Sequence, residues 1–510
     1  MLDGCTPWPA EFAERYREQG YWRGETLGAV LRTAAKDFGP RTALVHGDRR
    51  ISYAALDEWA DRLAAGFADH GIRPDERVIV QLPNVPEFVA ICFALFRLGA
   101  KPVFALAAHR HTEIRHLQEL SGATAYIGPG THRGFDYREM AKQIDFRLRF
   151  DLGADIAGIP RDFPEPDPSD VAFFLLSGGT TALPKLIPRT HDDYVYQTRT
   201  AASVCELSAD DVYLATLPIE FNFAWGSPGV LGTLWNGGKV VIADSPSPDD
   251  CFPLIEREGV TVTALVPSLT QIWVEVAEWT EADLSTLRLL QVGGARMRPE
   301  FVRSIGPALG CRLQQVFGMA EGLLTFTRGE EDALRTQGTP ISPADELRIT
   351  DETGNDVPTG EIGELVTRGP YTLRGYYRVP EHNKKAFTAD GFYRTGDLAR
   401  LTGNGELVIE GRIKDMIIRG GDKISSGEVE SHLAEHPAVA GVAVVGVPDE
   451  FLGERICAYV IPRETAPSLA ELREFMHGRD VAEYKLPDLI KLIDAFPLTP
   501  LGKVDRKALR

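Results

Sequence analysis

The stretch Ser177-Gly178-Gly179-Thr180-Thr181-Ala182-Leu183-Pro184-Lys185 carries the residue types needed to hold a polyphosphate. Two glycines free the backbone to aim successive N–H groups at one point, the threonine hydroxyls add donors, and Lys185 adds positive charge. The spacing is not that of the common ATPase loop, in which a lysine and a Ser or Thr follow glycine directly, because Lys185 here follows Pro184. A phosphate loop of another class is implied. A Gly/Thr-rich segment is also an ordinary turn, and the stretch taken by itself does not separate the two.

The elements on either side are those that would position such a loop. Val171–Leu176 is a short unbroken apolar run, which reads as a buried strand. Thr190 with Asp193 three residues on reads as a helix N-terminus. Upstream, apolar residues recur at helical spacing from Leu56 to Phe67, Val78–Val80 reads as a strand, and a helix is predicted from Pro86 to Leu98 with Gly99 just past its end. Strands at 102–106, 212–217, 238–243 and 260–266 continue the alternation, so the region to about residue 330 reads as α/β with mostly parallel, helix-covered sheets. After Gly338 the texture shifts to short strands and turns, a small β-rich part. A smaller α+β unit is expected to begin near Gly411, with a helix at 427–434 and strands at 439–447 and 456–461. The expected division is residues 1–411 and 412–510.

Size and charge narrow the class. A chain of 510 residues exceeds what one core supports, so two or more domains are expected. The formal charge of −18 argues against a nucleic-acid partner and for anionic ligands met by local positive charge. Six dispersed cysteines without a CxxC pair suggest neither a zinc cage nor a disulfide framework and point to a reducing cytoplasm. The N-terminus lacks signal-peptide character, and no apolar run approaches the ~20 residues that span a bilayer. No membrane association is expected.

Six motifs in order carry a resemblance over most of the chain: Ser177–Lys185, Val292-Gly293-Gly294-Ala295, Gln315–Gly322, Tyr393-Arg394-Thr395-Gly396-Asp397, Gly411-Arg412-Ile413-Lys414-Asp415 and Pro500-Leu501-Gly502-Lys503. Together they resemble the adenylate-forming superfamily of acyl- and aryl-CoA synthetases, nonribosomal-peptide adenylation domains and luciferases. Leu186–Tyr194 and Gln314–Gly322 look most like the stand-alone enzymes that activate 2,3-dihydroxybenzoate or salicylate for siderophore-type products. The resemblance implies ATP bound by Ser177, Gly178, Gly179, Thr180, Thr181 and Lys185, with adenine at Gly294, Ala295, Arg296 and Phe317. It implies Mg²⁺ held with the help of Glu321, Arg412 on ribose or phosphate, a hinge at Lys414 about which a mobile C-terminal domain turns, and Lys503 as the catalytic residue.

Each of these residues also has a plainer reading. Asp397 at a strand end can accept two hydrogen bonds from a ribose diol, and an Asp in a Thr-Gly-Asp turn equally caps a loop. Phe317 in an apolar strand is ordinarily core, Glu321 an ordinary solvated acid, and Arg412 half of an exposed salt bridge. Lys503 near a chain end is ordinarily a mobile charge. The chemistry supplies another use for it: a carboxylate attacking an α-phosphate brings two anions together, and a cation ~4 Å away contributes on the order of 4 kcal/mol at an effective dielectric of about 20.

The resemblance implies two half-reactions in one cleft. A carboxylate attacks the α-phosphate of Mg·ATP to give an acyl adenylate and pyrophosphate, and a phosphopantetheine thiol then takes the acyl group. Only residues 503–510 follow Gly502, so the aryl carrier protein is expected to be a separate partner, docked near Arg419, Lys423 and Lys485. The aromatic segment Leu217–Gly229 is the expected aryl-acid pocket: Asn222 matches the asparagine that meets the carboxylate and ortho hydroxyl, Ser227 a small residue beside the ring, and Gly293 leaves room. A ring is expected to stack among Phe221, Phe223 and Trp225; the plainer reading is a core segment with Asn222 at a turn. The dihydroxybenzoate enzymes usually carry His where Phe221 stands, so salicylate or a methyl- or amino-substituted benzoate is expected above 2,3-dihydroxybenzoate. The alternatives are an aryl-CoA ligase using free coenzyme A, a 2,3-dihydroxybenzoate-AMP ligase, a nucleotide-binding regulator without chemistry, and a luciferase-like monooxygenase.

Overall fold

The computed structural model describes residues 1–510 except 178–182, 296, 298, 420, 421, 480 and 500–502, and except the side chains at 330 and 423. Its centre is the helix Pro86–Leu98, buried at every position but Glu87. A helix apolar on all sides must be enclosed on all sides, and two sheets enclose this one. Pro86 opens it and Gly99, at φ +76°, closes it in the left-handed conformation that glycine tolerates.

One sheet has nine strands in the order 339–340, 324–326, 312–318, 289–293, 262–265, 212–215, 239–242, 42–46 and 49–52. The six from 312–318 to 42–46 run parallel, and antiparallel pairs finish both edges. The other has six strands in the order 186–190, 171–176, 101–105, 77–81, 125–128 and 148–151, parallel except for the first pair. Successive residues of one strand face opposite cores: Val78 and Val80 join the cluster between the sheets, whereas Ile79 joins the cluster on the outer face. Outer helices such as His111–Ser121 on one sheet and Pro299–Leu309 on the other complete a layered α/β architecture.

One strand is not among those read from the sequence. Leu186–Thr190 pairs antiparallel with Val171–Leu176 and leads into the helix His191–Val204. Pro188 hid it. The strand lies at the edge of its sheet, where a residue without an N–H costs no ladder bond. Thr190 caps the following helix as expected, its Oγ1 accepting from Asp193 N at 3.1 Å while Asp193 Oδ2 accepts from Thr190 N at 2.7 Å.

A four-stranded antiparallel sheet follows, 346–350, 363–368, 393–401 and 407–412. Gly411 and Arg412 end its last strand, Arg412 standing opposite Asp397. After the single turn Ile413–Asp415 comes a five-stranded sheet with its own core around Ile417, Val429, Val444 and Leu472. Arg506 braces this unit: its guanidinium donates to both Glu430 oxygens at 2.8 and 2.6 Å and to Ser426 Oγ at 3.2 Å, and lies 3.6 Å from Asp415. Arg510 donates to Lys414 O at 3.4 Å.

Candidate active site

The two strands 171–176 and 186–190 bring Ser177 and Lys185 face to face. Ser177 N donates to Lys185 O and Lys185 N to Ser177 Oγ, both at 3.0 Å. Gly178, Gly179, Thr180, Thr181 and Arg296 lie outside the described residues. The Lys185 ammonium lies 5.3 Å from the centre of the Tyr376 ring. The hydroxyl of that same tyrosine donates to Glu321 Oε1 at 2.8 Å and stands 2.9 Å from the Tyr393 hydroxyl. Burial pushes the Glu321 carboxyl above the usual range, opposed by the Tyr376 hydroxyl and by the charges of Arg412 and Lys185.

Asp397 is almost wholly buried, and Arg412 holds its Oδ1 at 2.8 Å from Nε. Burial raises the Asp397 pKa, against the pull of Arg412, Lys503 and Lys414. The C-terminal unit delivers Lys503 to the same place. A methyl group built on Gly294 would stand 3.4 Å from Lys503 Cε and 3.9 Å from its Nζ, so the lysine lies directly over the glycine that follows the strand Leu289–Gly293. Solvent still reaches the Lys503 side chain, but loss of hydration in the cleft and the nearby Arg412 charge lower its pKa. The Leu498–Val504 bridge and the bond from Thr499 N to Lys503 O at 2.7 Å fix its backbone. Lys414 shares the field: burial and then Arg412 lower its pKa as well.

Asn222 opens the short helix Asn222–Gly226 and is held from behind. Arg189 has donors only, so the oxygen it meets at 2.9 Å must be Gln197 Oε1; the Gln197 NH₂ therefore faces Asn222 Oδ1 at 3.0 Å. Tyr194 Oη donates to the same Oδ1 at 2.9 Å. With Oδ1 taken by two donors, Asn222 presents its NH₂ forward, one hydrogen going to Met319 O at 3.3 Å. An amide NH₂ suits a carboxylate. Phe223 lies against Gly293, where an added methyl would meet its ring at 3.3 Å. Phe221 and Phe223 are half-buried, Phe317 lies near the end of the strand Arg312–Gly318, and Ala295 lies two residues past the neighbouring strand Leu289–Gly293.

One expectation changes. Trp225 is fully buried and packs edge-on against Phe88 and Phe104, with centroids 5.6 and 5.7 Å away, so it belongs to the core between the sheets and not to an aryl pocket. The Ser227 hydroxyl, also buried, donates to Asn222 O at 3.0 Å and closes the helix turn. Sequence reasoning passed over Arg189, Tyr194, Gln197 and Tyr376. The four-residue spacing of Arg189, Asp193 and Gln197 was the available signal, since it puts the three on one line into and along the helix.

The layered sheets, the cleft under a small C-terminal unit and the lysine over Gly294 define an ATP-using adenylating enzyme. The AMP-binding enzyme family model matches residues 31–377, and the model of the AMP-binding enzyme C-terminal domain matches residues 428–503. The chain belongs to that family. It is 53% identical to the 2,3-dihydroxybenzoate-AMP ligase of Bacillus subtilis (strain 168), covering 100% of this chain and 98% of the relative. It is 46% identical to the salicyl-AMP ligase / salicyl-S-ArCP synthetase of Mycobacterium tuberculosis (strain ATCC 25618 / H37Rv), covering 100% and 94%. Among solved structures, the Mycobacterium smegmatis MbtA apo structure is similar at 45% identity with a TM-score of 0.77, covering 99% of this chain and 98% of that one. Among the described residues no helix is long and apolar enough to cross a membrane.

Proposed function

We propose that this chain joins an aryl carboxylic acid of the salicylate type to AMP and then passes the acyl group to the phosphopantetheine thiol of a separate aryl carrier protein. The observation that carries the reading is the meeting of Lys503, Asp397, Arg412 and Gly294 in one cleft, with Asn222 reaching Met319 O and Lys185 sharing the field at Glu321 with Arg412. The acid's carboxylate, met by the Asn222 NH₂, attacks the α-phosphorus of ATP. A P–O bond forms, the bond to the β-phosphate breaks, and pyrophosphate leaves with its electron pair. Lys503 offsets the charge of the two joining anions. Asp397 and Arg412 hold the ribose, Phe317 with Gly294 and Ala295 the adenine, and Lys185 the leaving phosphates. In the second half the thiol sulfur bonds to the acyl carbon as the bond from that carbon to the phosphate oxygen breaks; AMP departs with the electron pair and the thiol proton passes to solvent. The turn Ile413–Asp415, which separates the two sheets, is the hinge, with Lys414 at its centre and residues 412–510 turning.

The donor set fits Mg²⁺. Among the described residues no cluster of three acids, histidines or cysteines could cage a metal, and Glu321 offers one buried carboxylate beside Lys185, as expected for an ion that takes most of its oxygens from phosphates and water. When bound, the ion spreads the negative charge of the phosphates.

The test is acid-dependent ATP–pyrophosphate exchange over salicylate, methyl- and amino-benzoates and 2,3-dihydroxybenzoate. Salicylate or a substituted benzoate is expected to exceed 2,3-dihydroxybenzoate, and Phe221→His to shift the order toward the latter by about tenfold, the worth of one polar contact to a ring hydroxyl. No exchange with any aryl acid would overturn the ligase reading. Thioester formation on a pantetheinylated aryl carrier, compared with free coenzyme A, decides the acceptor. Gly294→Ala tests the lysine's seat. At φ +100° any side chain is strained, which would shift the backbone under Lys503 although the methyl itself meets the lysine only at van der Waals distance, so exchange should fall about tenfold or more with thioester formation from supplied adenylate retained.

A further inference from the structure

We infer that Tyr376 is a positioning residue for the metal-binding and the phosphate-binding group at once: its hydroxyl orients the Glu321 carboxylate toward the divalent cation, and its ring face seats Lys185. This rests on the reading of Glu321 as the metal-binding acid. Tyr376 is nearly fully buried and rigidly held. The Asn383 side-chain amide clasps its backbone on both sides, accepting from Tyr376 N at 2.9 Å and donating to Tyr376 O at 2.8 Å. His382 packs edge-on to the ring at 5.1 Å between centroids.

Proton count gives the hydroxyl chain a direction. A carboxylate only accepts, so Tyr376 spends its single hydrogen on Glu321 Oε1 and must accept from Tyr393. Two tyrosines in series therefore fix one Glu321 oxygen, and the chain polarises toward the acid. The Lys185 ammonium 5.3 Å from the ring centre gains a cation–π contact that keeps it from collapsing onto Glu321 when no nucleotide is present. One side chain thus spaces a cation and an anion that would otherwise neutralise each other.

The experiment is calorimetric binding of α,β-methylene-ATP, which cannot release pyrophosphate, to the full chain with Mg²⁺ and with EDTA. Wild type should bind more tightly with Mg²⁺. Tyr376→Phe keeps the ring and loses the hydroxyl, so about tenfold of the Mg²⁺-dependent gain should vanish with EDTA affinity unchanged. Tyr376→Leu should in addition weaken binding in EDTA by about two- to fivefold. Equal losses with and without Mg²⁺ in Tyr376→Phe would mean a packing role and overturn the inference. Glu321→Gln separates the two levels. If it abolishes the Mg²⁺ gain while Tyr376→Phe keeps it, the tyrosine inference fails and the Glu321 reading stands; if Glu321→Gln also keeps the gain, the Glu321 reading itself fails. Should Tyr376→Leu not fold, Tyr376→Phe decides alone.

Discussion

Replacing Lys503 by alanine is expected to slow adenylate formation by about 10²–10³-fold, the usual cost of removing one preorganised charge stabiliser, and to leave thioester formation from supplied aryl adenylate close to wild type. The asymmetry follows from where the charge is needed. Two anions join only in the first half-reaction; in the second a thiol attacks a mixed anhydride whose negative charge leaves with AMP. Lys503 lies over Gly294 and shares its field with Arg412, Lys414 and Asp397. Its lowered pKa adds a signature. The charged form is present below that pKa and lost as pH rises through it, so the alkaline limb of the exchange rate should fall below the ordinary lysine value of 10.5 and move upward in Lys503→Arg. Equal loss in both half-reactions would remove the division of labour.

Arg189→Met should produce the largest loss of stability. Arg189 has no exposed surface, and its guanidinium reaches Asp193 Oδ1 at 2.9 Å, Gln197 Oε1 at 2.9 Å, Ala320 O at 3.0 Å and Tyr371 O at 3.2 Å. Removing one member of a buried pair leaves the other charge uncompensated at a cost of about 3–5 kcal/mol. Urea denaturation should register it. The double variant Arg189→Met/Asp193→Leu should recover part of the loss, though not all, because Asp193 also caps the helix through Thr190. Where the single variant folds, KM for the acid should rise more than KM for ATP, since Gln197 can then rotate and release Asn222. A loss within about 0.5 kcal/mol, the range of an ordinary surface change, would contradict this account.

The fold was legible wherever apolar run length and punctuation agreed. Pro86 and Gly99 bracket a helix with no polar face, and the strands 212–215, 239–242 and 262–265 are short apolar runs that could be nothing else between helices. The strand 186–190 was hidden because Pro188 and Arg189 contradict strand character locally; its edge position and the partners of Arg189 are tertiary facts. Trp225 misled for the same reason, since an aromatic beside Asn222 carries no mark of which way it turns. In the candidate site, motif residues can be proposed from sequence, but the side chains that orient them cannot. Tyr376 meets Glu321, and Gln197 meets Asn222, only after the chain has folded.

The brace around Arg506 bears on the movement proposed for the small lobe. Arg506 ties the segment just after Lys503 to Asp415, Ser426 and Glu430, and Arg510 reaches back to Lys414 O. The segment after Lys503 and the turn 413–415 are thus cross-linked. On the hinge proposed at residues 413–415, rotation would carry Lys503 away together with the segment 504–510 that Arg506 and Arg510 anchor.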